Sequence, residues 1–477
     1  MCSCCPELFS FRLDESLAMA NVSDLLTAFS PIRVYGQVHR IVGLVVEGTC
    51  ARSSIGSLCE LFPLQDGEVI PAEIVGYSNN RALLMPLGEL RGLGPGSRIR
   101  VKKEQATISV GDGLLGRVLD GMAQPLDQGP PLYLPHEKAL YSLPPGPMQR
   151  DAITQPLDLG IRAINGLLTC GIGQRMGIMA GSGVGKSVLL GMMAKYAKAD
   201  INVIALIGER GREVKEFIER DLGKESLAHS VIVAVTSDQS PLLRMRGAFV
   251  ATAIAEYFCQ RGKNVLLMMD SVTRFAMAMR EIGLSIGEPP TTKGYTPSVF
   301  ATLPKLLERA GNFQHQGSIT GLYTVLVDGD DLTEPVADSV RSILDGHIVL
   351  SRSIAAKNHY PAIDVMMSTS RVMRDITTSR HRELAGKARS VMAIYRESED
   401  LINIGAYATG SNKKIDYAIS RMDAINAFLT QGFEESSTLE ETIAAMGELV
   451  SDRQGNDRRR AGRKGFDRRK TDMSADE

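Results

Sequence analysis

Residues 180–187 read Ala180-Gly181-Ser182-Gly183-Val184-Gly185-Lys186-Ser187, and the reading of that stretch decides the fold. Its spacing is that of a phosphate-binding loop, whose backbone N–H groups turn inward around the phosphates of a nucleotide. Glycines serve there because the backbone must pass close to the ligand and some positions adopt positive φ. Lys186 is placed to reach the terminal phosphates and the Ser187 hydroxyl to ligate Mg²⁺. The strict pattern opens with Gly where this chain has Ala180. Met176 to Ala180 is a short apolar run suited to a strand. Val188 to Ala199 places Leu189, Leu190, Met193, Tyr196 and Ala197 at helical spacing. Phosphates would meet the positive end of that helix, so Ala180 through Val188 are the candidate nucleotide contacts. The alternative is a Gly-Ser turn that binds nothing, and the flanks argue against it.

Outward from the loop, the chain alternates strand and helix from about Ile153. Asn202 to Ile207, Val231 to Val235, Val265 to Met269, Leu322 to Val327 and Ile348 to Leu350 are strand candidates. Val188 to Lys198 and Leu242 to Gln260 are the longer helix candidates. The alternation implies an α/β core, a mostly parallel sheet with helices on both faces. Active groups in such sheets collect at the carboxyl ends of strands. The run from Asn264 ends in Asp270, and a carboxylate at such a strand end holds Mg²⁺, usually through water. Gly208-Glu209-Arg210 follows the next strand after the loop helix. Glu209 there suits a group that orients and polarises the attacking water, and Arg210 suits the γ-phosphate. The same two residues, with Arg212 and Glu213, equally suit a solvated charge run opening a helix. Arg371, after Ser368-Thr369-Ser370, has no evident duty in its own site. An arginine lent to a neighbour's transferring phosphate is a known device. Tyr360 or Tyr407 could stack on an adenine, although any aromatic is more often core.

The other segments are read as follows. Residues 1–30 form an N-terminal arm in which Val22, Leu25, Leu26 and Phe29 predict a short amphipathic helix. Residues 31–105 carry short β-branched runs (Ile41 to Val46, Val69 to Val75, Ile99 to Val101) between turns, which predicts a small β-barrel. Residues 106–377 hold the nucleotide-binding core, entered through a proline-rich connector from Pro125 to Pro156. Residues 378–452 show helical spacing, and 453–477 form a polar tail with a Lys/Arg cluster from Arg458 to Lys470 that reads as disordered.

Composition narrows the class. The net charge is −1, so bulk charge signals no nucleic-acid partner. No run of about 18 apolar residues reads as a membrane span, and acidic Glu7, Asp14 and Glu15 at the start do not read as a secretory signal. Seven cysteines, an odd number, fit reduced thiols in a cytosolic protein. Cys2, Cys4 and Cys5 cluster without a nearby fourth metal ligand.

Together the motifs resemble the superfamily of rotary ATP synthase catalytic subunits and type III export ATPases. Ala180 is permitted at the loop's first position there, and Pro361 to Ser370 fits its signature of Pro, small, aliphatic, Asp/Asn and two spaced serines. Gly173 to Gly177, Gly181 to Met193, Ile207 to Lys215, Ser240 to Met245, Gly287 to Phe300 and Leu344 to Ser351 look like the flagellar export ATPases, also called flagellum-specific ATP synthases. The resemblance runs from about Val34 to Gly432. It implies a phosphate-loop core of the RecA type and a homohexamer with ATP sites between subunits. By position it makes Lys186 the phosphate ligand, Ser187 and Asp270 the Mg²⁺ handlers, Glu209 the activator of water, and Arg371 the finger reaching the next subunit. Tyr360 and Tyr407 would flank adenine. The non-catalytic relatives carry Gln where this chain has Glu209. Implied partners are a stator-like regulator, export-gate membrane proteins, chaperones and flagellar substrates, with no specific nucleic acid. The implied location is cytoplasmic, peripheral at the inner membrane.

Two departures stand out. Ala123 replaces a usual Gly in the Asp120-Gly121 to Asp127 segment, which affects a turn rather than chemistry. The cysteine-bearing arm is unlike the family's. The closest rival reading is an injectisome secretion ATPase, against which Ile404 to Ser411 looks more flagellar. A hexameric nucleic-acid translocase like the Rho terminator would need aromatic and basic contacts in the barrel. Residues 32–101 offer few aromatics, namely Tyr35, Phe62 and Tyr77.

Overall fold

The computed structural model describes residues 34–450 apart from 52, 66, 328 and 330. The predicted arm helix, the Cys2–Cys5 cluster and the basic tail lie outside the described residues. The chain divides into two compact units at Gln105–Ala106.

The first unit is a closed six-stranded barrel. Its strands run in the order Tyr35–Val42, Val45–Thr49, Arg81–Pro86, Ile70–Ser78, Leu58–Phe62 and Arg98–Lys103, and the last pairs back onto the first. Val38, Val46, Leu61, Ile74, Leu84 and Ile99 fill the interior. Closure leaves no unpaired edge. The apolar run from Ile41 to Val46 is not one strand. Gly43 takes φ 56°, and the run folds into a hairpin with Ile41 opposite Val46. β-branched residues alone do not reveal a turn that a single glycine makes.

The second unit is built on a sheet ordered Ile363–Ser370, Gly346–Leu350, Arg175–Ala180, Ser318–Leu326, Asn264–Asp270, Ile201–Glu209, Ser230–Thr236 and Val118–Leu119. All neighbours along that order are parallel except the first pair. Strand residues 201–208 are all buried, as expected where helices cover both faces. Ile204, Leu206, Ile232, Leu266 and Met268 share one core with the helix Lys186–Tyr196 and the C-terminal helices. On the other face the helix Pro241–Gln260 packs so closely that a Cβ on Gly247 would stand 2.6 Å from Val235 and 3.0 Å from Ile207. The α/β core, small barrel and helical C-terminal region expected from the sequence are the architecture observed. The proline-rich connector is not wholly irregular, because His136–Ala139 pairs with Thr107–Val110. Ala123 sits in its turn at φ 60°.

Three helices, Ser379–Asn403, Lys413–Leu429 and Leu439–Val450, close the described chain. Polar side chains fasten them to the core. Arg162 Nε donates to Phe428 O (2.7 Å), Asn165 Nδ2 to Ser437 O (3.0 Å), and Gln431 Nε2 to Gly160 O (2.8 Å). Among the described residues no helix is long and apolar enough to cross a membrane.

Candidate active site

The strand Arg175–Ala180 lies inside the sheet between Ser318–Leu326 and Gly346–Leu350. Ala180 is still a strand residue. It is buried, and its carbonyl accepts Val327 N–H at 3.0 Å. An extended residue with its side chain in a core needs no glycine, which accounts for alanine at the loop's first position. The chain then turns over Gly181 to Gly185. Gly185, the N-cap of the helix Lys186–Tyr196, has φ 86°, a conformation that side chains disfavour. Val184 is buried and anchors the loop, while Ser182, Gly183, Ser187 and Val188 face solvent. The loop therefore opens at the positive end of its helix, where anions bind.

Lys186 gathers the acids. Its Nζ donates to Asp270 Oδ1 at 2.6 Å and to Glu209 Oε1 at 3.4 Å. These carboxylates end two neighbouring parallel strands, Asn264–Asp270 and Ile201–Glu209, which explains how residues 23 and 84 positions from Lys186 meet beside it. Asp270 is further held by the buried Thr324 hydroxyl, which donates to Oδ1 at 2.7 Å from the next strand. Burial opposes the Lys186 charge, but Asp270 and Glu209 outweigh it and raise the pKa, so the ammonium is retained. Burial raises the Glu209 pKa. Lys186 and Arg274 pull it down, Asp270 and a hydrogen bond with Glu213 push it up, and the result is above the ordinary value.

The geometry at Glu209 depends on a bulge. The ladder to Ser230–Thr236 slips between Ile207 and Glu209. Gly208 at that slip has φ 72°, and a Cβ there would stand 3.0 Å from Arg274 Cβ. Arg274 thus passes directly behind Glu209, with its Nε buried and without a hydrogen-bond partner among the described residues. Sequence reading missed Arg274 and Thr324. A signal existed for Arg274, a cation in the first turn of the helix Val272–Ser285, where the helix dipole disfavours it; Thr324 shares its buried strand with Ser318, Thr320 and Tyr323 and does not stand out from them.

Tyr360 joins the loop. Its ring lies where a Cβ on Gly185 would be 3.4 Å from Cδ1 and Cε1, and its carbonyl accepts Gln431 N–H at 2.8 Å. Half-exposed at 40%, it presents an open aromatic surface beside the phosphate loop. The other candidates are elsewhere. Arg210 is 82% exposed and pairs with Glu213 at 3.4 Å, followed by Arg212 with Glu216, the solvated charge run that was the alternative reading. Tyr407 lies in the turn after Ser379–Asn403, where its hydroxyl meets Asn412 O (2.9 Å) and Asp416 Oδ1 (3.0 Å). Arg371 follows the antiparallel edge strand Ile363–Ser370, with Gly346 opposite Ser370 and Leu350 opposite Ile363. That strand starts beside the loop end of the sheet and delivers Arg371 to the other end. The partner strand spans four residue steps between those two pairings, roughly 13 Å, because Ile363–Ser370 bulges between Asp364 and Thr369.

The ligand set suits a nucleotide with magnesium. The glycines at 183 and 185 leave space that side chains would narrow. The Ser187 hydroxyl and Asp270 carboxylate are hard oxygen donors of the kind Mg²⁺ takes.

Comparison with known proteins agrees with this geometry. Residues 160–370 match the model of the ATP synthase alpha/beta family, nucleotide-binding domain. The flagellum-specific ATP synthase of Bacillus subtilis is 54% identical over 420 residues, covering 87% of this chain and 95% of that protein. The chain belongs to the ATP synthase alpha/beta family. Within it, residues 377–448 match the T3SS EscN ATPase C-terminal domain. The type 3 secretion system ATPase of Xanthomonas euvesicatoria is 50% identical over 421 residues, covering 88% of this chain and 95% of that protein. Assembled EscN from enteropathogenic E. coli superposes with a TM-score of 0.83 at 47% identity, covering 87% of this chain and all of that one. The same ATPase has been solved with its central stalk EscO, and superposes with a TM-score of 0.81. The resemblance read from the motifs, to flagellum-specific ATP synthases within this family, is borne out.

Proposed function

We propose that this chain is the ATP-hydrolysing motor of a flagellar-type protein export apparatus, working as a ring with nucleotide sites shared between subunits. One observation carries the shared site. The loop, Lys186, Glu209 and Asp270 lie together at one end of the sheet, while Arg371 stands at the other end of an edge strand of the same chain. A single chain therefore brings the loop, Lys186, Glu209 and Asp270 together but holds its exposed Arg371 away from its own loop. A second copy supplies what the first lacks.

The loop N–H groups and Lys186 bind the phosphates and Tyr360 flanks the base. Lys186 spans Asp270 and Glu209. Engaging phosphate draws the ammonium from its weaker contact, the 3.4 Å one to Glu209, and frees that carboxylate to orient water for in-line attack. Ser187 and Asp270 would hold Mg²⁺, which neutralises phosphate charge. Arg371 of the neighbour stabilises the charge that develops on the γ-phosphoryl group. Arg210, on the exposed start of its helix, meets that phosphate or the neighbouring subunit once the ring forms. The motor is cytoplasmic, peripheral at the membrane export gate. It works with a stator-like regulator, chaperones and flagellar substrates.

ATPase rate per subunit, measured against protein concentration for wild type and Arg371→Ala, tests this reading. It should rise as wild type assembles and stay low for the variant. A wild-type rate that ignores assembly overturns the shared site. An injectisome motor is favoured as a second reading by the match of residues 377–448 to the EscN C-terminal domain. Restoring motility, rather than effector secretion, to a strain lacking its own export ATPase separates the two.

A further inference from the structure

Arg371 has a free head and a fixed root. Its Nη2 makes one long contact, 3.4 Å to Arg341 O. Its main chain is held from both sides. Arg371 N–H donates to Asp345 O at 2.9 Å. The preceding Ser370 Oγ donates to Thr169 O at 2.8 Å. Between these two anchors lies Gln174, which is fully buried. Gln174 Nε2 donates to Asp345 O and to Ser370 Oγ, both at 3.1 Å, and its Oε1 accepts Gly171 N–H at 2.8 Å. The next residue, Arg175, clamps the Asp345 carboxylate through its own N–H (3.1 Å), Nε (3.0 Å) and Nη2 (3.0 Å). The two strands pack too closely here for adjustment, since a Cβ on Gly346 would stand 2.5 Å from Thr369 O and 3.0 Å from Ser370 Cα.

Gln174 immediately precedes, and Arg175 opens, the strand whose other end is the phosphate loop. The element that holds a subunit's own nucleotide therefore also fixes the root of the arginine it lends. We infer that Gln174, with the Arg175–Asp345 pair, is a positioning residue for Arg371, setting the angle at which it enters the neighbour's site. The inference rests on the reading of Arg371 as a shared arginine. Physically, a buried amide bridging two strands permits one register. An apolar side chain of the same length fills the space without choosing one, and an error of about 1 Å in a catalytic group costs on the order of 100-fold in rate.

The test is Gln174→Met, which keeps length and burial, in assembled full-length rings. The expected result is a kcat lower by about 10- to 100-fold with KM and nucleotide affinity unchanged, and almost no further loss when Arg371→Ala is added. Mixed rings decide where the defect acts. Subunits carrying Lys186→Ala have dead loops and intact arginines. Mixing them with Gln174→Met subunits should restore turnover per intact loop, because the arginine now comes from a sound neighbour. If mixing restores nothing, or if nucleotide affinity falls with kcat, Gln174 serves only its own core and the inference is wrong. Full activity of Arg371→Ala rings would instead sink the shared-arginine reading, a separate outcome. Gln174→Glu retains the acceptor for Gly171 N–H and loses the amide donor, so it should fall with Gln174→Met; wild-type kcat in that variant overturns the bridge to Ser370 and Asp345.

Discussion

Glu209→Gln separates binding from hydrolysis. The structure sets the expected size of each effect. Lys186 holds Asp270 at 2.6 Å and Glu209 at 3.4 Å. The first distance is that of a short charge-assisted hydrogen bond and the second lies at the limit of one. Coulomb attraction alone scales inversely with distance, so Glu209 contributes roughly three-quarters (2.6/3.4) of the Asp270 term before hydrogen bonding widens the gap. Removing the Glu209 charge leaves Lys186 with its better partner and leaves the loop intact. ATP affinity should then change by less than about tenfold, or about 1.4 kcal/mol. Turnover loses its water-orienting base. That contribution is on the order of 10²- to 10⁴-fold, or about 2.7–5.4 kcal/mol of barrier.

Two assays read the two numbers: equilibrium binding of a fluorescent ATP analogue, and phosphate release from assembled rings at saturating ATP. The pH profile adds a third. Burial and Asp270 raise the Glu209 pKa more than Lys186 and Arg274 lower it, so its proton leaves at a higher pH than that of an ordinary glutamate. Base form, and with it kcat/KM, is gained as pH rises through that elevated value. The residual activity of the Gln variant should lack this acid limb. Turnover above a tenth of wild type refutes the role of Glu209. Affinity weakened by 100-fold or more would show it to be a nucleotide ligand instead.

Asp270→Asn should differ in kind, losing both affinity and turnover, since Asp270 holds Lys186 and offers the metal oxygen; an isotherm matching wild type counts against that. Thr324→Val leaves Asp270 Oδ1 without its 2.7 Å donor and should lower unfolding stability by about 1.5–3 kcal/mol, read from the denaturant midpoint. Ala123→Gly relieves a left-handed residue at φ 60° and should raise stability by about 0.5–1 kcal/mol after the entropic cost of glycine; no rise in Tm argues against strain there. His381, in the first turn of the helix Ser379–Asn403, is buried, and its Nε2 lies 2.8 Å from Gly166 O. Burial lowers its pKa more than that hydrogen bond raises it. The unfolded chain therefore takes up the proton first, and stability should fall as pH drops below about 6.5. His381→Gln should flatten that slope.

What the sequence could reveal was set by whether the physical cause was local. The loop was legible because its glycine spacing, lysine and flanking periodicities lie within some twenty residues. Glu209 and Asp270 were legible because each ends an apolar run, and a parallel sheet brings such ends together whatever the loops between them do. Ala180 appeared as a defect only while the motif was read as a string. Placed in the strand, it is the residue that position accepts. Arg274 and Thr324 were missed because their importance lies across strands: one passes behind a bulge at Gly208, the other bonds sideways to Asp270, and no period in the chain records either contact. The same limit divides the two expected tyrosines. Tyr360 reaches the loop because an edge strand begins beside it, whereas Tyr407 belongs to the connection between two C-terminal helices, which meets its own hydrogen-bonding needs. Arg371 shows the limit most sharply. Its motif signals that it matters, but only the reversal of one strand shows that it points away from its own nucleotide. The antiparallel edge strand Ile363–Ser370 thus carries Arg371 away from the phosphate loop of its own chain, and on the proposed reading that favours a ring as the working unit.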